Sequence, residues 1–126
     1  MIMRLLQFTI PIATISENNA RDHWRKKQKR VRGQRAYAAA WVRSVCDPTS
    51  RKRLPSLIRL NRLSPRLLDG DNLQGALKAI RDGVADGLGI SDGPEGVPWL
   101  YGQRRAANRG VDVIIEFVET KNDTLV

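Results

Sequence analysis

The chain has 126 residues, a length that suits one domain, and 41% of them are hydrophobic, which is adequate for a core without being generous. Its net charge of +9 is divided unevenly: residues 1–66 hold 16 Lys and Arg against 3 Asp and Glu, whereas residues 67–126 hold 6 against 10. One cysteine, Cys46, excludes an internal disulfide and fits a reducing, cytoplasmic compartment, and with a single histidine it excludes a His/Cys zinc site within one chain.

The first fifteen residues are apolar but interrupted by Gln7, Thr9 and Pro11. No small-residue cleavage signal follows, and the stretch is far too short to span a bilayer. Leu6, Phe8, Ile10 and Ile12 alternate with Leu5, Gln7, Thr9 and Pro11. That predicts a strand with one buried face, and Pro11 marks a strand end or an edge position. Ser16-Glu17-Asn18-Asn19 signals a turn or a helix start.

From Arg21 to Arg35 eight of fifteen residues are Arg or Lys and only Asp22 is acidic. One long helix over residues 20–44, loosened at Gly33, accounts for this run and for the apolar stripe Ala38, Trp41, Val42 and Val45, which Trp24 and Val31 continue unevenly. The first half is too polar to bury. Its cations Arg21, Arg25, Lys26, Lys27, Lys29, Arg30, Arg32 and Arg35 form a surface that can lie along a phosphate backbone, or one that is simply solvated. Trp24 and Tyr37 could stack on bases, although aromatic side chains more often pack into a core. His23 lies in this same basic run, which disfavours a Ser-His-Asp triad.

Asp47-Pro48-Thr49-Ser50 breaks the helix, and Arg51, Lys52 and Arg53 make a second basic cluster. Residues 57–63 read as a strand with Ile58 and Leu60 on one face and Arg59 and Asn61 on the other. From Asn72 onward Leu73, Leu77, Ile80, Val84 and Leu88 recur at helical spacing, with Asp71, Gly75, Lys78 and Asp82 on the opposite side. Gly87 and Gly89 let that helix stop. Beyond a GPEG loop, Val97, Trp99, Tyr101 and Gln103 alternate as a strand. Asn108-Arg109-Gly110 reads as a turn between strands. Val111, Val113, Ile115 and Phe117 alternate again to about Glu119, leaving 120–126 as a frayed tail. The order β-α-β-α-β-β predicts a single α+β domain over residues 1–126, with two main helices packed on a mixed or antiparallel sheet.

The chemistry concentrates between Asp69 and Asp92. On an extended lead-in to the helix, Asp69 and Asp71 would point the same way, and Asp92 adds a third carboxylate after the helix. Clustered carboxylates repel unless a cation offsets them, and all-oxygen donors suit Mg2+ or Mn2+. Such an ion can activate water and stabilise charge on a phosphodiester. Lys78 follows Asp71 by roughly 10 Å of helix at ~1.5 Å per residue, and its side chain leans back toward the helix start. A cation there could stabilise a phosphorane-like charge or the leaving oxygen. The simpler reading is that the two aspartates cap the helix and favour its positive end.

These residues resemble the RusA-like family of Holliday junction resolvases found in phages and prophages. The family pattern is D-x-D-N-L-x-K-x-x-x-D and then, after a short gap, D-D. Here D-G-D-N-L stands at residues 69–73 and S-D at Ser91 and Asp92, and Asn18-Asn19 is similar to the family's polar turn ahead of a basic segment. The resemblance implies a small homodimer that binds four-way DNA with Mg2+ or Mn2+ and nicks two opposed strands symmetrically. It makes Asp69, Asp71 and Asp92 the metal carboxylates. Two positions depart from the pattern: Gly75 replaces the family lysine, and Ser91 an aspartate. Lys78 and Asp82 keep the lysine-to-aspartate spacing three residues later, nearly one helical turn, so Lys78 stays on the expected face. Asp82 and Glu95 are further candidate ligands.

The expected function is thus that of a Mg2+-dependent endonuclease of DNA recombination and repair, with branched DNA and a second copy of itself as partners and no membrane association. Asp69, Asp71, Asp92 and Lys78 would be catalytic, and the cations from Arg21 to Arg35, with Arg51, Lys52 and Arg53, would hold the phosphate arms. Gly75 and Ser91 also motivate an alternative, a nucleic-acid-binding protein that kept the fold and lost the chemistry. A third reading is a basic structural subunit of a larger assembly.

Overall fold

Alternating apolar residues need a sheet face to bury, and the helical stripes need something to cover. The computed structural model, which describes residues 2–17, 23–47, 54–90 and 96–119, satisfies both with one four-stranded sheet and two helices. The elements follow as β1 (Ile2–Ile10), α1 (Trp24–Val45), β2 (Leu57–Ser64), α2 (Gly70–Leu88), β3 (Trp99–Arg105) and β4 (Gly110–Glu119). This is the expected α+β order, and the sheet is mixed. Its spatial order is β1-β4-β2-β3, with β4 antiparallel to both neighbours and β3 parallel to β2.

One sheet face is the core. Ile10, Ile58, Leu60, Val111, Val113, Ile115 and Phe117 are buried there beneath Leu73, Leu77, Ile80, Val84 and Leu88 of α2 and Ala38 and Val42 of α1. Helix α2 lies over β2 and β3, and α1 over β1, where Trp41 stacks on Phe8 at 6.5 Å. Ladder register puts Met3 and Leu5 of β1 and Leu100 of β3 on the opposite face, and all three are exposed. The two helices meet through small residues. A methyl group at Gly83 would fall on the Arg35 carbonyl oxygen and 2.7 Å from Ala38 Cβ, and one at Gly87 would lie 2.6 Å from Val42 Cβ.

Several expectations change in detail. Helix α1 begins at Trp24, with the ring Nδ1 of His23 accepting from the Arg25 N–H, and it runs unbroken through Gly33. The expected start at residue 20 lies outside the described residues. Helix α2 begins at Gly70, so Asp71 sits in its first turn and the extended lead-in with two parallel carboxylates is not formed. Gly87 does not stop the helix but lies within it, against α1; Gly89 ends it alone with φ 71°. There Gly89 N–H donates to Asp86 O and Ile90 N–H to Ala85 O, the paired closure that a left-handed residue permits. The expected turn at Asn108-Arg109-Gly110 does connect β3 to β4, although the two strands are not neighbours, because β2 lies between them.

Candidate functional site

The segment that leads into α2 is held from beneath by two neighbouring side chains of the sheet. Arg62 of β2 and Gln103 of β3 are register partners on the core-facing side. Gln103 Oε1 accepts from Leu68 N–H at 2.9 Å, and its Nε2 donates to Leu68 O at 2.6 Å. Arg62 is 5% exposed, and it donates to Arg66 O, Thr14 O and Thr14 Oγ1 at 2.8–3.0 Å. Burial and the nearby charge of Arg109 lower the Arg62 pKa. These contacts fix where the chain enters the helix, and so where Asp69 and Asp71 stand.

Asp69 occupies the N-cap position of α2, yet its side chain makes no capping hydrogen bond. Asp71 follows in the first turn, and both residues are exposed. Two turns on, Lys78 projects with 73% of its side chain accessible and its ammonium 3.4 Å from Asp82 Oδ2. Asp71, Lys78 and Asp82 line one cavity of about 430 Å³ together with Gln74, Arg81 and Tyr101. Arg81 donates to the Tyr101 hydroxyl and lies 5.0 Å from the centre of the Trp99 ring. Asp82 leans toward α1: its Oδ2 is also 4.0 Å from Arg35. Its Oδ1 is buried without a hydrogen-bond donor among the described residues, an acceptor that water or a bound group in the cavity would satisfy.

The basic helix flanks this site. Arg25, Lys26, Lys27, Lys29 and Arg32 are exposed along α1. Two expected phosphate contacts are instead engaged by carboxylates. Arg30 forms a two-pronged pair with Glu17, with Nε 2.8 Å from Oε2. Arg35 does the same with Asp86 at 2.6 and 2.9 Å, and this hydrogen bonding holds the Asp86 carboxyl below its ordinary pKa. Planar guanidinium groups favour such two-pronged carboxylate pairing, whereas lysines at neighbouring positions stay in solvent.

The structure therefore brings Asp71, Lys78 and Asp82 into one cavity, with Asp69 at the head of the same helix. Asp92, Glu95, Arg21, Arg51, Lys52 and Arg53 lie outside the described residues. Among the described residues no three His, Cys, Asp or Glu side chains gather at metal-binding distance, and no helix is long and apolar enough to cross a membrane. Sequence reasoning missed Gln74, Arg81 and Tyr101. Arg81 was within reach of it, because it lies three residues beyond Lys78 on the same helix side. Tyr101 required knowing that β3 lies beside α2.

Comparison with known proteins gives little to set beside this geometry. No family model matches the chain. An uncharacterized protein from Xylella fastidiosa is 37% identical over 78 residues, covering 59% of this chain and 51% of that protein. The chain thus spans about half the length of that relative. Among solved structures, thiamine monophosphate kinase from Aquifex aeolicus aligns with 94% of this chain and 34% of its own, at 12% identity and a TM-score of 0.47.

Proposed function

We propose that the chain is a divalent-metal-dependent endonuclease acting on branched DNA, most simply a resolvase that nicks a four-way junction in paired, symmetric fashion during recombination or repair. The observation that carries this reading is the Asp69 carboxylate. It stands where a capping group belongs and does not cap, and Asp71 beside it has no hydrogen-bond or ion-pair partner among the described residues. Capping alone would have Asp69 accept from an N–H of the first turn. Two exposed, unengaged carboxylates at a helix head form an oxygen donor set that fits Mg2+ or Mn2+, with Asp92 the third ligand implied by the resemblance. When bound, such an ion supplies charge neutralisation at a phosphodiester and acidifies water.

The chain's own groups then have distinct tasks. Lys78, exposed and only 3.4 Å from Asp82, is positioned to stabilise the charge that builds on the phosphate. Asp82 holds that ammonium over the cavity. Arg25, Lys26, Lys27, Lys29 and Arg32 attract and align the DNA arms. A homodimer would match the two-fold symmetry of a junction, one site per nicked strand, and the exposed sheet face with Met3, Leu5 and Leu100 offers apolar surface for it.

The test is cleavage of a labelled synthetic four-way junction with Mg2+ and with EDTA, beside Asp71→Asn. Nicks should require metal and fall by about 100-fold or more in the variant, while junction affinity stays within about 3-fold. An affinity loss as large as the rate loss would refute the assigned role. Tight binding without nicks in Mg2+ or Mn2+ would instead support a non-catalytic nucleic-acid-binding protein.

A further inference from the structure

Of the two aromatic side chains that the sequence leaves between packing and stacking, Trp24 and Tyr37, Trp24 is the more exposed. It is 57% exposed at the first position of α1, with the His23 ring at 5.7 Å and the Arg25 guanidinium 5.5 Å from its ring centre. Exposing an indole forfeits burial that few side chains can match, and a lone one amid cations is what stacking platforms for nucleobases present. The stripe around it has the same character. Trp24, Gln28, Val31 and Arg35 follow one another along one side of the helix, with Lys27 and Arg32 flanking, and together they line an open groove of about 550 Å³. Among the described residues that lining holds Lys27 and Arg32, an aromatic ring and an aliphatic side chain, with Arg35, paired to Asp86, at its far end.

The groove is also continuous with the candidate site. Lys27 and Val31 line both it and a second cavity, of about 290 Å³, which reaches Lys78 and Asp82. Lys78 and Asp82 in turn line the cavity that holds Asp71. These adjoining cavities make a track from the Trp24 indole, past Lys27 and the Glu17 carboxylate that pairs with Arg30, to the carboxylate face of α2.

We propose that this track binds an unpaired segment of single-stranded DNA, with one base stacked on Trp24 and the neighbouring phosphates held by Lys27 and Arg32. The occupant follows from charge and shape: an anionic backbone matches the cations, a flat apolar base matches the ring, and a duplex would keep its bases stacked away from the indole. The track's direction toward Asp71 rests on the nuclease reading, whereas the stacking contact stands without it.

Binding of a short labelled oligothymidylate, measured by anisotropy in EDTA, tests the contact. The intact chain should bind with quenching of tryptophan fluorescence. Trp24→Ala should weaken binding about 5- to 100-fold and remove most of the quenching, with an unchanged salt slope because stacking carries no charge. Trp24→Phe should retain most of the affinity. Equal affinity of the intact chain and Trp24→Ala would overturn the proposal. So would an equal loss on duplex and single strand, or tighter binding of oligouridylate than of oligothymidylate. Stacking through Trp24 without metal-dependent nicking of a junction would remove the nuclease reading alone. Nicking with Trp24→Ala at full oligonucleotide affinity would remove this proposal alone.

Discussion

Replacing Gly83 by alanine probes the contact that sets the basic helix against the carboxylate-bearing one. In a helix interior alanine is intrinsically better than glycine by about 1 kcal/mol. Gly33 should show that gain undiminished, because nothing lies within 4 Å of a methyl group added there, and Gly33→Ala is expected to stabilise by about 0.4–1 kcal/mol. At Gly83 the same methyl falls on the Arg35 carbonyl oxygen and 2.7 Å from Ala38 Cβ, where an unstrained carbon contact is about 3.5–4.0 Å. Helix α1 must retreat by about 1 Å, and overpacking of this kind costs about 1–3 kcal/mol. The clash offsets or outweighs the propensity gain, so Gly83→Ala should be destabilising by up to about 2 kcal/mol. The retreat also pulls Arg35 from Asp86. Urea unfolding midpoints at constant slope report both variants. A midpoint raised by Gly83→Ala as much as by Gly33→Ala would refute the close helix contact.

Arg62→Met removes three hydrogen bonds, two of them buried, and leaves Thr14 O and Arg66 O without their donor, so it should cost about 2–4 kcal/mol in the same assay; a cost below about 0.5 kcal/mol would mean that the guanidinium is not an internal tie. Asp86 has a folded-state pKa depressed chiefly by its hydrogen bond from Arg35. Its contribution is therefore fully present above the unfolded carboxyl value of about 3.9 and is lost as pH falls through the lower, folded value. With 39% of its side chain in solvent the pair is screened, and Asp86→Asn should remove only about 0.5 kcal/mol at neutral pH and nothing once the wild-type carboxyl is protonated. Parallel stability–pH curves for the two proteins down through that range would contradict this assignment.

Periodicity made the elements and their buried faces legible, because an alternating or helical apolar pattern is itself the imprint of a one-sided core. It could not say which strands are neighbours. Trp99, Tyr101 and Gln103 read the same whether β3 pairs with β4 through a tight turn or lies parallel to β2, and the second arrangement is the one that brings Tyr101 to Arg81. Arg62 stood hidden for a related reason. A charged residue after Ile58 and Leu60 looks like the end of a buried face, whereas its guanidinium is satisfied by Thr14, 48 residues away, as well as by the nearby Arg66 carbonyl. The motif D-x-D was legible as residue types, but the turn of backbone at which Asp71 enters the helix depends on the grip of Gln103 on Leu68. Whether Trp24 packs or stands free was undecidable from the sequence, because the apolar stripe it extends runs past the end of the surface that α2 covers.

The position of β4 has a consequence for how the molecule comes into being. Among the described residues it is the last strand in sequence, and it is an inner strand of the sheet, flanked by β1 and β2. Thr9 and Asp112, joined by a side-chain hydrogen bond across the β1–β4 ladder, are 103 residues apart. Until β4 is available, β1 has no ladder partner and the half made of β2, α2 and β3 has an open edge. A nascent chain still missing β4 holds two unpaired sheet margins and an uncovered core. The sheet must therefore wait for β4 to be made, and loops this long close slowly. A premature stop anywhere before β4 leaves a strand-edged fragment prone to pair with its neighbours.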